Sequence, residues 1–290
     1  MSAIIDIGSN SVRLMLWADG KTLYKRVNTT RLGEGLAKTG MLSQVAIERT
    51  ALAVAEFVAE AEAEIVGDKL AGGIHIFATA AVRSAANGAE FCARVKALCG
   101  LGVDVVSGEI EALLGLNGAL GTSDGGIIDI GGASTEIILR QEGKINFSVS
   151  LNVGAVRLFD SCRDNPDSLR QEIERALLPL QNLRFIEKMY AIGGTATTLA
   201  SVKLELKEYD GEKIQDCPLS LSEVEKIAEE LLSKTAEERK EMAGMDIRRA
   251  DIIAGGALLL FEIMKKLSIE RIYTSDRDNL EGYLIFRGLA

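Results

Sequence analysis

Asp6 and Asp129 stand at matching places in a pattern that occurs twice in the chain. Residues 5–11 and 128–134 share the order Asp-Ile-Gly-x-x-Ser, between short apolar runs that predict strand, glycine turn and strand. Glycine lets backbone N–H groups converge on an anion, and an aspartate at a strand end can hold a divalent cation. One copy would favour an ordinary hairpin, but the duplicate with the same spacing favours a site for a phosphate chain and its metal ion.

A third glycine turn, residues 192–198, joins a predicted strand to a predicted helix. The free N–H groups and the dipole of a helix N-terminus suit phosphate, which makes Gly193, Gly194 and Thr195 candidate ligands. Glycine at such a joint also serves packing, and the sequence leaves both interpretations open.

Two glutamates follow a predicted strand in residues 107–112. Glu109 and Glu111 are two apart, so on a helix they point to nearly opposite sides. Glu111 shares its face with Gly115 and Gly118, where another backbone or a ligand can come close. Glu111 is therefore the better candidate for a catalytic carboxylate. The alternative is that both glutamates are solvated and complement the helix dipole.

Four arginines, Arg13, Arg31, Arg83 and Arg157, lie beside turns or strand ends. The planar guanidinium suits phosphate oxygens, although any one arginine is more often a surface or ion-pair residue. His75 is the only histidine and lies between isoleucines, which indicates a structural role. Ser-His-Asp catalysis and histidine-rich metal sites are thereby excluded, and the P-loop pattern GxxxxGK[ST] does not occur.

The composition predicts a compact protein of two domains, with 290 residues, 47% of them hydrophobic and only 3 prolines. The net charge of −9 argues against nonspecific binding to nucleic acid or to membrane surfaces. No apolar run approaches the ~18 residues of a membrane span, and the first strand starts within three residues, which leaves no room for a signal peptide. With four cysteines and no CxxC pair, a cytoplasmic location is expected.

Apolar periodicity predicts the same plan in both halves of the chain: an antiparallel strand group, then alternating helices and strands. In the first half the strands are 3–7, 12–17, 22–28, 75–79 and 103–106, and the helices are 43–66, 88–98 with Asn87 as cap, and 110–120. In the second half the strands are 127–130, 135–140, 144–151, 189–192 and 271–274, and the helices are 155–162, 169–180, one after Thr195, one from a Ser220–Glu223 capping box through 232, 249–267 and 280–289.

A glycine-rich break at 121–126 separates an N-terminal domain, 1–121, from a C-terminal domain, 122–290, and the last helix is a candidate to pack back on the first domain. The duplicated plan matches the α/β actin-like ATPase (ribonuclease H-like) fold, which binds its ligand in a cleft between two related domains.

With these motifs the chain resembles the exopolyphosphatase / guanosine pentaphosphate phosphohydrolase family. The resemblance runs from Asp6 to nearly the last residue and rests on eight segments in the family's order. These are residues 6–14, 31–36, 78–83, 107–112, 128–136, 154–158, 192–198 and 251–260. Three departures are Ala133 in place of a third glycine, Ala254 in place of proline, and residues 275–282 in place of Gly-Leu-Arg-Glu-Gly. The additional C-terminal helical region of the longer members is missing, which suggests the short form.

The resemblance implies Mg²⁺-dependent hydrolysis of the terminal phosphate of polyphosphate or guanosine pentaphosphate, by a protein that is often a homodimer. It implies that Glu111 is the general base, that Asp129 and Glu136 bind the metal, and that Arg83 neutralises charge; Asp6 is added as a metal ligand from the repeated pattern. The predicted phosphate contacts are Gly8, Ser9, Asn10, Ser11, Arg13, Arg83, Gly131, Gly132, Ala133, Ser134, Gly193, Gly194 and Thr195. Two alternatives remain: a small-molecule kinase of the same superfamily that uses ATP, and a non-catalytic sensor of polyphosphate or guanosine pentaphosphate. The order of preference among polyphosphate, guanosine pentaphosphate and nucleoside phosphates is left open.

Overall fold

The computed structural model describes residues 1–64, 72–180 and 188–290, which form two mixed β-sheets with helices packed on them. The first lobe holds β1 Ser2–Ile7, β2 Val12–Ala18, β3 Lys21–Asn28, β4 Gly73–Ala78 and β5 Asp104–Val105, with α1 Leu36–Thr39, α2 Gln44–Glu64, α3 Ala80–Ser84, α4 Gly88–Cys99 and α5 Gly108–Leu120. In these three stretches no helix is long and apolar enough to cross a membrane.

The second lobe is larger. Its strands are β6 Gly125–Ile130, β7 Thr135–Gln141, β8 Lys144–Leu151, β9 Met189–Ile192, β10 Pro218–Ser220 and β11 Arg271–Thr274. Its helices are α6 Ala155–Cys162, α7 Pro166–Ala176, α8 Gly193–Lys203, α9 Gly211–Ile214, α10 Leu221–Ser233, α11 Ala236–Lys240, α12 Ile253–Leu267 and α13 Asn279–Phe286, with 3₁₀ turns at Leu178–Leu180 and Ile247–Arg249.

Both sheets are built in the same order, which confirms the predicted duplicated actin-like fold. The first sheet runs β3-β2-β1-β4-β5, and the second runs β8-β7-β6-β9-β11-β10. In each, the first three strands of the lobe are antiparallel neighbours and the fourth lies parallel to the first. The register places Asp6 opposite Arg13 and Asp129 opposite Glu136, so the repeated motif occupies equivalent positions in the two lobes.

The central strands β1 and β6 are buried along their whole length, whereas the edge strands β3 and β8 are mostly exposed or half-buried. Strands covered on both faces are expected to be continuously apolar. Strands β1 and β6 have this composition except at Ser2 and at one aspartate in each strand. That aspartate is thereby carried to the end of a rigid central strand, where Asp6 and Asp129 precede the two glycine turns.

Several predicted boundaries were wrong. Asn87 does precede α4, but its side chain binds the backbone N–H and C=O of Leu42 instead of capping the helix. The helix expected after Thr195 begins at Gly193, and the helix expected from 249 is a 3₁₀ turn followed by α12. The segment predicted as a helix at 169–180 is α7, which starts at Pro166, and the 3₁₀ turn after it. The short elements α1, α3, α9, α11 and β10 were not predicted, and the expected end of α2 at 66 lies outside the described residues.

The last helix packs back on the first lobe. Leu280 and Leu284 of α13 join a cluster with Ile4 and Leu114, and the ring of Tyr283 stacks on Phe77 with centroids 4.4 Å apart. Helix α5 lies between the lobes, because another part of its surface packs on Ile127, Ile138 and Ile192 of the second sheet. The predicted division at 121/122 remains a prediction, and α5 and α13 connect the two halves across it.

Helices α5 and α13 touch through glycines. A Cβ on Gly282 would overlap the backbone oxygen of Leu114, and a Cβ on Gly118 would overlap that of Asp278. Gly282→Ala is therefore expected to lower the free energy of unfolding by ~1–3 kcal/mol, because backbone cannot move aside as a side chain can. Urea denaturation should show this loss and a much smaller effect for the control Gly102→Ala, since nothing lies within 4 Å of a Cβ at Gly102. Equal effects of the two substitutions would contradict the close packing.

Candidate active site

A small cavity of about 70 Å³ lies where the β1–β2 turn meets the β6–β7 turn, and we call it the interlobe cavity. The turns are so close that a Cβ on Gly132 would lie 2.7 Å from Cβ of Ser9. The cavity is lined by Asp6, Gly8, Ser9, Asn10, Ser11, Arg13, Thr79, Ala80, Glu111, Asp129, Ile130, Gly131, Gly132, Ala133, Ser134, Gly193, Gly194, Arg249 and Asn279. Residues of both lobes therefore enclose one polar space.

The two turns have the same backbone geometry. The N–H of Gly8 donates to the carbonyl of Ser11, and the N–H of Gly131 donates to the carbonyl of Ser134, at 3.0 Å in both cases. The second turn is held further by Arg157, whose Nε donates to the carbonyl of Ala133 at 2.9 Å. The sequence repeat is thus a structural repeat, with one turn from each lobe facing the cavity.

Asp129 is a strongly perturbed carboxylate at the end of β6. Burial raises the pKa of Asp129 to about 7, and the nearby Glu111 and Asp278 add to the rise. Its Oδ2 accepts a hydrogen bond from Nδ2 of Asn279 at 3.1 Å, and its Oδ1 lies against the turn, where a Cβ on Gly193 would come within 2.6 Å. When burial disfavours the ionised form of a carboxylate in this way, a nearby positive charge stabilises that form.

Asp6 and Glu136 are also buried and perturbed. Nε of Arg13 donates to Oδ2 of Asp6 at 3.0 Å, and Oγ of Ser150 donates to Oε1 of Glu136 at 2.7 Å. Burial raises the pKa of both carboxyls, strongly for Glu136, where neighbouring carboxylates add to the effect. Oδ1 of Asp6 and Oε2 of Glu136 are buried without a hydrogen-bond partner among the described residues.

Glu111 lies in the first turn of α5, which begins after the cap residue Ser107. Nη1 of Arg83 donates to Oε2 of Glu111 at 2.8 Å and to the carbonyl of Val106 at 2.9 Å, which fixes the carboxylate between two segments. Burial raises the pKa of Glu111, and Arg83 opposes the rise. As expected from their spacing, Glu111 is buried and Glu109 is exposed.

The guanidinium groups of Arg13 and Arg249 reach the interlobe cavity. Arg13 binds Asp6 in its own lobe and Asp278 from the C-terminal segment, so it joins two carboxylates. Arg249 lies over the first turn of α8, at a place that a Cβ on Gly194 would overlap, and its Nε is 3.8 Å from Asp246. The side chain of Arg249 is only 17% exposed, and this burial lowers the pKa of its guanidinium. Because Asp246 is 3.8 Å away, Arg249 is less tightly paired than Arg13 and can offer its positive charge to a ligand.

Most predicted contacts line the interlobe cavity, but three predicted residues do not. Arg83 acts on the cavity through Glu111, Glu136 lies opposite Asp129 on the neighbouring strand β7, and Thr195 is buried in α8 against Gly256. Among the other arginines singled out by the sequence, Arg31 pairs across the lobes with Asp251 at 2.6 Å. The cavity residues that sequence reasoning missed are Thr79, Ala80, Ile130, Arg249 and Asn279.

The residues present fit a divalent cation of the Mg²⁺ type. One oxygen of Asp6 and one of Glu136 have no partner among the described residues, and the pKa of Asp129 is raised, so the three carboxylates can accept a further positive charge. Over the described ranges no three acidic, histidine or cysteine side chains form a ready-made metal cage. Mg²⁺ usually takes one or two carboxylates and keeps water or substrate phosphate as its other ligands, so a complete cage is not required.

The raised carboxyl pKa values predict a pH-dependent stability. Between the ordinary pKa of 3.8 and about 7, folded Asp129 binds more protons than unfolded Asp129, so stability falls as pH rises through this range. Without metal the free energy of unfolding should fall by roughly 2–4 kcal/mol between pH 5 and pH 8. Added Mg²⁺ should remove most of this loss in thermal unfolding. A thermal unfolding midpoint that rises from pH 5 to pH 8 without metal would contradict the raised carboxyl pKa values.

Three comparisons place the chain among known proteins. The Ppx/GppA phosphatase family matches residues 17–287. Exopolyphosphatase 2 of Mycobacterium tuberculosis is 30% identical over 315 residues, covering 97% of this chain and 96% of that protein. The bifunctional 3-dehydroquinate synthase/phosphatase of Fusobacterium nucleatum is 28% identical over 98% of this chain, which spans only 46% of that protein. The crystal structure of the Ppx/GppA family member of Aquifex aeolicus superposes with a TM-score of 0.78 at 28% identity, covering 99% and 97% of the two chains.

Proposed function

The chain belongs to the Ppx/GppA phosphatase family, and from this premise we propose that it releases the terminal phosphate of inorganic polyphosphate or guanosine pentaphosphate with the aid of Mg²⁺. The observation that carries the proposal is that two equivalent glycine turns, one from each lobe, enclose a single cavity beside a buried glutamate. The relative named exopolyphosphatase supports polyphosphate as the substrate class.

The surroundings of the interlobe cavity suit a longer anion. A wider groove of about 1450 Å³ shares Arg13, Gly193, Gly194 and Arg249 with it. Among the described residues, eight basic and four acidic side chains line this groove, in a chain whose net charge is −9. The cavity has room for the reacting end of a phosphate chain, and the groove has the charge to attract the rest of it.

In the proposed reaction Glu111 accepts a proton from a water molecule that attacks the terminal phosphorus. The new P–O bond forms in line with the bridging oxygen, whose bond to phosphorus breaks as the shortened chain leaves with its electron pair. Arg83 orients the base, and the raised pKa of Glu111 makes its ionised form a stronger base. Arg13, Arg249 and the turn amides would bind the phosphate oxygens. Asp129, Asp6 and Glu136 would hold Mg²⁺, which would offset the charge of the phosphate oxygens.

A phosphate-release panel without any added acceptor tests this function. Long and short polyphosphate, guanosine pentaphosphate and ADP are compared with and without Mg²⁺. We expect orthophosphate from polyphosphate or guanosine pentaphosphate, and only with the metal. Transfer from ATP that requires an added small acceptor would instead indicate a kinase. Calorimetric binding of polyphosphate with no turnover would indicate a sensor.

We also infer a homodimer in the cytoplasm, from the family resemblance and from the cysteine pattern of the sequence. Light scattering on the purified protein would decide the oligomeric state, because the dimer has twice the 31.1 kDa mass of the chain.

A further inference from the structure

Asn279 is a polar residue of the interlobe cavity that belongs to no predicted motif. It is the first residue of α13 and lies in the segment that departs from the family's usual Gly-Leu-Arg-Glu-Gly. The residue is 5% exposed, and its Nδ2 donates to Oδ2 of Asp129 at 3.1 Å. Its Oδ1 is buried and accepts no hydrogen bond from the described part of the chain.

The backbone fixes the position of this amide. Asp278 caps α13, since its Oδ1 accepts the N–H of Leu280 while Glu281 closes the capping box. Helix α13 packs closely on α5 through Gly282 and Gly118. Gly115 of α5 lies beside Oδ1 of Asn279, and a Cβ on Gly115 would be 3.1 Å from this oxygen. A buried amide oxygen without a partner costs stability unless a ligand or water satisfies it.

We propose that Asn279 is a positioning residue for the cation site: its amide N–H holds Asp129, and its free oxygen accepts a hydrogen bond from a ligand of that site. The donated hydrogen bond fixes one carboxylate oxygen of Asp129, so that Oδ1 is left for the cation. An amide suits this place better than a second carboxylate, which would repel Asp129. The inference rests on the proposed metal-dependent function.

Binding of Mn²⁺ to the full-length protein, measured by electron paramagnetic resonance without substrate, tests the inference apart from activity. Asn279→Leu should weaken Mn²⁺ binding by about 10–100-fold, as loss of a residue that orients a ligand does. Asn279→Ala should do the same, and it decides the question if the leucine variant fails to fold. The matched control is Asn117→Leu in α5, whose amide oxygen accepts a hydrogen bond from Arg140 rather than facing Asp129.

The outcomes separate this inference from the function beneath it. If the natural protein does not bind Mn²⁺, the proposed metal dependence fails and the inference with it. If it binds but the folded Asn279 variants bind within about twofold of it, only the inference fails. An equal loss in the Asn117 control would also overturn it. A positioning role further predicts that phosphate release by Asn279→Ala recovers as Mg²⁺ is raised, which a purely structural defect would not do.

Discussion

Replacing Glu111 with glutamine is expected to lower the rate of phosphate release by about 10²–10⁴-fold, the range that general bases contribute. Glutamine has nearly the same shape, and its carbonyl oxygen can still accept the hydrogen bond from Arg83, so the cavity should keep its form. It cannot accept a proton from water at neutral pH. Polyphosphate should therefore still bind in calorimetry, with the loss confined to kcat.

Glu109→Gln is the matched control, because Glu109 is two residues away on the same helix but exposed. Its phosphate release should stay close to that of the natural protein. Full activity of Glu111→Gln would remove Glu111 from the mechanism, and an equal loss in both variants would indicate a general effect on α5.

Asp129→Asn is expected to lower phosphate release by about a hundredfold or more, because the amide cannot supply the negative charge that holds a cation beside the substrate. The same change should raise stability at pH 8 without metal, since it removes a buried charge whose pKa is about 7. Loss of activity together with gain of stability is the signature of a functional rather than a structural carboxylate.

Asp19→Asn is the control for this substitution. Asp19 is exposed in the β2–β3 turn, and its positive φ of 52° suits asparagine equally well. Thermal unfolding and phosphate release are measured for both variants. Asp129→Asn with normal Mg²⁺-dependent release, or with lower stability than the natural protein at pH 8, would contradict the role of Asp129.

The repeat and its turns could be predicted from the sequence because their contacts are local. Each motif forms one hairpin, and the hydrogen bond that closes its turn joins residues three apart. The duplicated fold followed from that repeat. The opposite placement of Glu109 and Glu111 followed from helix geometry alone.

The rest of the site depends on contacts between residues far apart in the chain, which no local pattern reports. Asn279 meets Asp129 across 150 positions, and its segment looks like an ordinary helix start because Asp278 and Glu281 form a capping box. Arg249 follows another arginine at the predicted start of a helix, and nothing in the local sequence marks it as a cavity residue. A buried site in a two-lobed fold is completed by such distant segments.

Arg13 shows what the prediction of a cavity residue from sequence leaves out. It lies at the interlobe cavity as expected for a phosphate contact, but it is already bound to Asp6 and Asp278. Both carboxylates keep the pKa of Arg13 high although burial opposes this. A phosphate that reaches Arg13 must therefore share it with, or displace, a carboxylate, and no local sequence pattern reports this competition.

Hydrolysis in ¹⁸O-labelled water tests most directly whether the two lobes hold the terminal phosphate for attack by solvent. The protein, polyphosphate and Mg²⁺ are incubated without an acceptor, and the products are analysed by mass spectrometry. Each orthophosphate released should carry one oxygen atom from water, and the shortened chain should carry none. Unlabelled orthophosphate, label in the remaining chain, or no release at all would contradict the proposed chemistry.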